Sequence, residues 1–328
     1  MHFKKIGNSD LDVSAVCLGM MSYGSKSWRN WVLDSQSDCD LHVKRALELG
    51  INFFDTANTY SSGVSEIMTG IALSKYAKRE DYMLATKVGM EVANNPARIG
   101  LSKEQIILNL EVSLRNLGTD YIDLYQIHRW DYNTPIDETM EALHSMIQAG
   151  KVRYIGASSM YAWQLCKAQY TADLRGWTRF VSMQNHYNII YREEEREMNA
   201  YCKDENISLL PWSPVARGVV TGTRTRQGGT TARSKHDPFG DKLYNREIDY
   251  KVADVVMEVA RQKGVSGAEV ALAWLHQNSI VASPVFGATK ITHIEEAVHS
   301  VFLPLTAEDI YYIEKPYEVN CVKPWNLG

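Results

Sequence analysis

The sequence predicts a (β/α)8 TIM barrel with an N-terminal β-hairpin cap and long loops on its C-terminal face. Three observations carry that expectation. Eight short apolar runs alternate with helical patterns along the 328 residues. The runs are near-continuous in apolar residues rather than alternating, as strands covered on both faces require. Neither a G-x-G-x-x-G after the first run nor a P-loop occurs, which argues against the rival doubly wound open sheet. A barrel of about 250 residues with added loops and tails fits the length, so 1–328 reads as one domain.

The elements follow in order. Residues 4–11 read as a small hairpin turning at Gly7-Asn8-Ser9-Asp10 and capping the N-terminal end of the barrel. Strands are expected at 13–18, 51–54, 82–86, 121–127, 152–156, 180–184, 207–212 and 280–286. Ser102-Lys-Glu-Gln105 is a capping box, in which the serine and glutamine side chains each satisfy a free backbone N–H. Ile106, Leu110, Leu114 and Leu117 then share one helix face, and Gly118 can take the left-handed stop. Thr134-Pro135 sets up another helix start, where the missing N–H of proline does no harm. Met140, Leu143 and Ile147 line its buried face, and Gly150 ends it. Ser266-Gly-Ala-Glu269 is a second capping box, ahead of a helix over 270–277, and Thr306-Ala-Glu-Asp309 marks a further start. Two stretches, 23–37 (with Trp28, Arg29 and Trp31) and 213–245, are too long for simple connections. Both follow strands, which puts them on the face where barrels carry their chemistry.

Composition narrows the function. Apolar and aromatic residues make up 45% of the chain, and a chain this long buries enough surface to need no staples. Lys plus Arg is 35 against 39 Asp plus Glu, a net charge of −4, which argues against a broad nucleic-acid face. No apolar run approaches the ~18 residues of a membrane span, and the start, MHFKKIGNSDLDVS, lacks the apolar stretch of a signal peptide. A cytoplasmic protein with a small-molecule partner is expected, with a homo-oligomer left open. The five cysteines (Cys17, Cys39, Cys166, Cys202 and Cys321) form no C-x-x-C pair and read as buried structural thiols. No H-E-x-x-H occurs, and His293 and His299 would lie about 240° apart on a helix, so no metal is expected.

Polar residues gather just past the strand ends: Asp55-Thr-Ala-Asn-Thr-Tyr60 after the second strand, Thr86-Lys87 on the third, Gln126-Ile-His128-Arg129 on the fourth. Singly, each has an ordinary explanation: a turn cap, a core ring, a snorkelling lysine, a satisfied histidine. Together they project into one mouth from adjacent strands and make a proton-donating site. A tyrosine ordinarily titrates near 10, too high for an efficient acid, and an adjacent ammonium favours the tyrosinate. Asp55 would hold Lys87 charged, and His128 could polarise a carbonyl. Such a site protonates an oxygen gaining negative charge. It lacks the nucleophile of acyl transfer and the carboxylate pair of glycoside hydrolysis.

The segments D-T-A-x-x-Y, T-K, Q-I-H-R-W-D, G-A-S-S, Q-x-x-Y-N, P-W-S-P and G-A-T-K-x-x-H-x-x-E, in this order, resemble the aldo-keto reductase superfamily over about residues 4–301. R-Y-I-G-A-S-S-M, S-M-Q-N-H-Y-N and Y-R-E-E-E-R-E-M look most like the bacterial and fungal branch related to the potassium-channel β subunits. The resemblance implies Asp55, Tyr60, Lys87 and His128 as a catalytic tetrad for NADPH-dependent reduction of aldehydes and ketones, with Tyr60 as the acid. It implies a cofactor bound without a Rossmann domain. Gly19, Met20 and Met21 match the loop along the nicotinamide ribose. Ser158 and Gln184 match the pair that bonds the carboxamide, and Ser159 stands where Asn is usual. Trp212 matches the aromatic that stacks on the nicotinamide.

Ser213, Pro214, Val215, Arg217 and Gly218 would follow the pyrophosphate. Residues 213–240 carry Arg217, Arg224, Arg226, Arg233 and Lys235 against one acid, Asp237. A cation cluster facing a polyanionic cofactor suits this segment, because arginine forks match phosphate oxygens. Gly287, Thr289, Lys290, His293 and Glu296 match the adenosine 2′-phosphate and adenine positions at a helix start. His293 stands where Gln or Arg is usual, and Ala297 where Asn is usual. Lys290 and the basic lid favour NADP(H) over NAD(H). Trp28, Trp31, Met90, Trp130 and Trp325 are expected walls of the substrate pocket. Two other functions stay open: a regulatory subunit that binds NADPH with little turnover, and a lyase with Lys87 as Schiff base.

Overall fold

The structure is a computed structural model that describes residues 1–93, 95 and 97–320. Strand β1 (Phe3–Lys5) pairs antiparallel with β2 (Asp12–Ser14), so the cap hairpin is wider than 4–11 and takes the start of the run 13–18. The first barrel strand is β3 (Cys17–Gly19). The run is apolar throughout because it serves two buried layers in turn. Val13 packs with Ile6, Leu11, Cys17, Phe53, Ala85, Leu124, Leu210 and Ala282 in the barrel floor, while Leu18 joins the larger core between strands and helices. Gly7 lets the hairpin press against that floor: its φ is +49°, and a Cβ there would stand 2.5 Å from the Val181 carbonyl oxygen.

Strands and helices then alternate: α1 (Gln36–Glu48), β4 (Phe53–Asp55), α2 (Val64–Tyr76), β5 (Met83–Val88), α3 (Lys103–Leu117), β6 (Ile122–Ile127), α4 (Ile136–Gln148), β7 (Val152–Ser158), α5 (Ala162–Arg175), β8 (Phe180–Gln184), α6 (Met198–Asp204) and β9 (Ser208–Leu209). A lid follows, built of a short hairpin, β10 (Arg224–Thr225) and β11 (Gly228–Gly229), and two short helices, α7 (Ala232–His236) and α8 (Pro238–Leu243). The chain ends through α9 (Glu247–Lys263), α10 (Gly267–His276), β12 (Val285–Gly287), α11 (Ile291–Ser300) and α12 (Ala307–Glu314).

The eight parallel strands run in the order β12-β3-β4-β5-β6-β7-β8-β9. Bridges Leu209 to Val281 and Trp212 to Val285 join the two ends of the sheet, so the (β/α)8 arrangement is observed. The runs 207–212 and 280–286 yield regular ladder of only two and three residues. Pro211 and Pro284 fall inside them and cannot donate to a neighbour.

Helix signals hold with two adjustments. Ile106, Leu110, Leu114 and Leu117 are all buried on α3, and Gly118 closes it at φ +65°. Ser102 accepts from the Gln105 backbone N–H, but the return bond of the capping box is not made; the Gln105 side chain accepts from Asn109 instead. The boxes at Ser266–Glu269 and Thr306–Asp309 close both ways. On α4, Met146 is buried where Ile147 was expected. Cys17, Cys39 and Cys202 are buried, Cys166 is exposed on α5, and Cys321 lies outside the described residues. No helix among the described residues is long and apolar enough to cross a membrane.

Burial of imidazoles makes the fold acid-sensitive. Both ring nitrogens of His276, at the end of α10, lack a partner. Burial first, then Lys4 and His2, push its imidazole down to about 4. Burial also holds His42, His128 and His293 below their ordinary values. From about 6.5 downward the unfolded chain takes up protons that the folded chain refuses. Stability present above that pH is therefore lost as the pH falls. The Tm should drop between pH 7 and pH 5, and His276→Leu should make the drop shallower. A Tm flat over that range in the native protein would contradict this.

Candidate active site

Each barrel strand delivers its functional side chain where the strand ends, because the next residues must turn out toward a helix. Asp55 is the last residue of β4, Lys87 and Gln126 lie at the open ends of β5 and β6, and His128 follows β6 directly. Tyr60 opens the turn Tyr60–Gly63, in which Ser61 and Ser62 adopt left-handed φ of 49° and 54°. Such conformations cost about 1–3 kcal/mol each and persist only where surroundings impose them. Ser159, Ser213, Ala216 and Arg217 share the feature, and all lie in segments that border the same cavity.

Lys87 joins these groups. Its Nζ donates to Asp55 Oδ1 at 2.5 Å, to the Thr56 carbonyl at 2.8 Å and to the Tyr60 hydroxyl at 3.3 Å. The side chain is wholly buried. Burial pulls the ammonium down, but the Asp55 carboxylate and the Tyr60 hydroxyl outweigh it and hold it above its ordinary value. The second Asp55 oxygen accepts from Gln126 Nε2 and Gln184 Nε2, both at 2.9 Å. The Tyr60 and His128 rings meet edge to face at 5.7 Å. Burial, then Arg129 and Lys87, push the His128 imidazole well below its ordinary value, so it is neutral near pH 7. Its Nδ1 has no partner. All four residues expected to form the tetrad are thus within one cluster: a charged pair, a hydroxyl donor and a neutral imidazole.

The cluster forms the floor of a cavity of about 560 Å³. Of the residues expected to contact a cofactor, Gly19, Met21, Asp55, Ser158, Gln184, Trp212, Ser213, Pro214, Val215, Arg217, Arg233 and Gly287 line it. Met20 and Ser159 are buried and do not line it. Trp212 is clamped: it stacks on His186 at 4.3 Å, His186 stacks on Tyr191 at 4.2 Å, and Trp212 Nε1 donates to Ser159 Oγ at 2.9 Å. One indole face is backed by an imidazole. Ser158 Oγ donates to the Gln184 carbonyl at 2.8 Å. With the Gln184 amide nitrogen held by Asp55, its side-chain oxygen is the atom left to receive a donor.

The lid cations divide. Arg217 pairs with the buried Asp237, and Arg233 Nε lies 3.8 Å from the same carboxylate. Arg224 instead pairs with Asp241 and donates to the Asp237 carbonyl, packed against Gly240, and does not line the cavity. Arg226 is turned away to Glu247 and Asp254 on α9. Gly218, Thr289, Lys290, His293 and Glu296 do not line the cavity either. The last four stand beyond Gly287 at the start of α11, where His293 Nδ1 accepts from the Thr289 backbone N–H at 3.3 Å.

Among the expected pocket walls, Trp28 and Met90 line the cavity. Trp31 is buried under the Arg233 guanidinium, 4.5 Å from its ring centroid, and Trp130 packs on Trp163 at 6.0 Å. Trp325 lies outside the described residues. Sequence reasoning named Arg29, Arg129 and Gln126 on this face but gave them no role. Gln126 near the open end of its strand, and an arginine directly after His128, were the available signals.

The profile of the Aldo/keto reductase family matches residues 15–318. The chain is 41% identical to versiconal hemiacetal acetate reductase of Aspergillus parasiticus, covering 99% of each chain. It is 39% identical to the aldo-keto reductase dtxS3 of Metarhizium robertsii, over 97% of this chain and 91% of that one. It is 38% identical to the aldo-keto reductase AMT2 of Alternaria alternata, over 97% and 92%.

Proposed function

The chain belongs to the aldo/keto reductase family, and on that premise we propose that it is an NADPH-dependent carbonyl reductase in which Tyr60 donates the proton. The observation that carries this reading is the wholly buried Lys87, held by Asp55 and placed 3.3 Å from the Tyr60 hydroxyl at the cavity floor.

The residues present fit a nicotinamide dinucleotide. Trp212 lines the cavity with its indole, Ser158 and Gln184 offer polar atoms beside it, and the Arg217 and Arg233 forks suit a diphosphate. Both forks have a buried Nε without a hydrogen-bond partner. The free N–H groups at the start of α11, with Lys290 and Thr289, suit the 2′-phosphate that separates NADP(H) from NAD(H). Bound there, the reduced nicotinamide would supply a hydride to a carbonyl carbon.

The chain's own groups handle the oxygen. A neutral His128 can donate one hydrogen bond to the carbonyl oxygen and polarise it. Tyr60 then gives its proton to that oxygen, and the Lys87 ammonium stabilises the phenolate left behind. Asp55 keeps Lys87 charged, and the two glutamine amides that donate to its second oxygen fix the carboxylate in place. The Trp28, Met90 and Phe286 walls exclude water from one side and favour apolar or aromatic carbonyl substrates.

The test is steady-state reduction of 4-nitrobenzaldehyde with each coenzyme. Consumption of NADPH with a kcat/KM at least tenfold above that for NADH is expected. No consumption of either coenzyme across a broad panel of aldehydes and ketones would overturn the reading and favour a binding subunit.

A further inference from the structure

Positive charge at the cavity exceeds what a dinucleotide's diphosphate needs. Four guanidiniums line it: Arg29, Arg129, Arg217 and Arg233. The carboxylate among them is Asp237, bonded to Arg217. Glu91 also lines the cavity but is exposed at its rim, and Asp55 is spent on Lys87. The cluster therefore carries a net three positive charges, and the two negative charges of a diphosphate leave one.

The four fall into two pairs by position. Arg217 and Arg233 belong to the lid and gather on Asp237. Arg29 and Arg129 come from the loops after β3 and β6, and each interacts electrostatically with Tyr60. Arg129 follows His128 and donates from Nη1 to the His128 carbonyl at 2.6 Å. The Arg29 guanidinium lies 4.6 Å over the Trp28 ring, and that ring is 6.2 Å from the ring of Tyr60. Among the described residues neither arginine forms an ion pair, and the Arg29 Nε is buried without a partner. Arg29 feels the Asp237 carboxylate, but Arg217 and Arg233 already share that group. Half-buried cations without a carboxylate of their own are costly to keep, and a bound anion offsets that cost. A guanidinium fork takes a carboxylate through two parallel hydrogen bonds.

Resting on the carbonyl-reductase reading, we infer that Arg29 and Arg129 select aldehydes and ketones that carry a carboxylate on the part of the molecule away from the carbonyl. The aromatic face of Trp28 next to Arg29 suits a ring between the two groups.

The probes are 4-formylbenzoate and its methyl ester, which share ring and carbonyl and differ by one charge. The native protein should favour the carboxylate at least tenfold in kcat/KM, through KM, and the preference should shrink between 50 and 500 mM salt. Arg29→Gln and Arg129→Gln should each move the ratio toward one. A native ratio of one or less would overturn the inference. So would variants that raise the KM for NADPH and leave the ratio unchanged, since the two arginines would then serve the cofactor. A binding arm needs no turnover. Titrated by tryptophan fluorescence in the presence of NADP, the native protein should bind benzoate at least tenfold more tightly than benzamide, and Arg29→Gln, on a loop outside the barrel core, should abolish the difference. Equal affinities would overturn the inference. If neither aldehyde consumes NADPH while benzoate binding follows Arg29, the reductase reading fails and the anion site stands.

Discussion

Replacing Lys87 with methionine should lower kcat for aldehyde reduction about a thousandfold, within the range of a lost acid–base element, and should also destabilise the fold by about 3–5 kcal/mol. Both effects follow from one geometry. Lys87 is wholly buried between Asp55 and the Tyr60 hydroxyl. Without it the Tyr60 oxygen loses its hydrogen-bonded cation, and Asp55 becomes a buried carboxylate held only by Gln126 and Gln184. The two effects separate in the double variant. Lys87→Met with Asp55→Asn removes the uncompensated charge, so urea unfolding should recover most of the stability while kcat stays low. If the double variant regained activity along with stability, Lys87 would be a structural counter-ion only.

Replacing Arg217 and Arg233 together with alanine raises the Kd for NADPH about a hundredfold or more. A hydrogen bond to a charged group contributes about 1.5–3 kcal/mol, and two forks are lost. These are the lid cations that line the cavity. Arg226→Ala is the control: it removes one positive charge from the lid, but its partners are Glu247 and Asp254 on α9. Fluorescence titration should show Arg226→Ala within about twofold of the native protein. If all three substitutions weakened binding alike, the effect would be general charge and not contact with the cofactor.

The difference between these arginines marks what the sequence could and could not tell. Five cations in 213–240 were legible as a cluster, but not their pairings: Arg224 takes Asp241, just past that span, and Arg226 takes Glu247 and Asp254 on α9. Charge counting along a segment has no access to them. Conversely, Arg29 and Arg129 enter the cavity from two other loops, so no local run of charge announced them. The tetrad was legible because barrel strands end on one face, and Asp55, Lys87 and His128 need only sit at or just past strand ends to meet there. Strand ends themselves blurred where one apolar run serves two layers, as at 13–18, or where Pro211 and Pro284 break the ladder. Tryptophans gave the least: Trp28 and Trp31 are three residues apart, yet one lines the cavity and the other supports Arg233 from below.

The measurement that tests the central claim most directly is Tyr60→Phe, assayed for NADPH binding and for turnover of 4-nitrobenzaldehyde. The substitution removes one oxygen and keeps the ring that meets His128 edge to face at 5.7 Å. Tyr60 as proton donor predicts an NADPH Kd within about twofold of the native value and a kcat lowered at least about a hundredfold. Retention of most of the activity with cofactor still bound would contradict it.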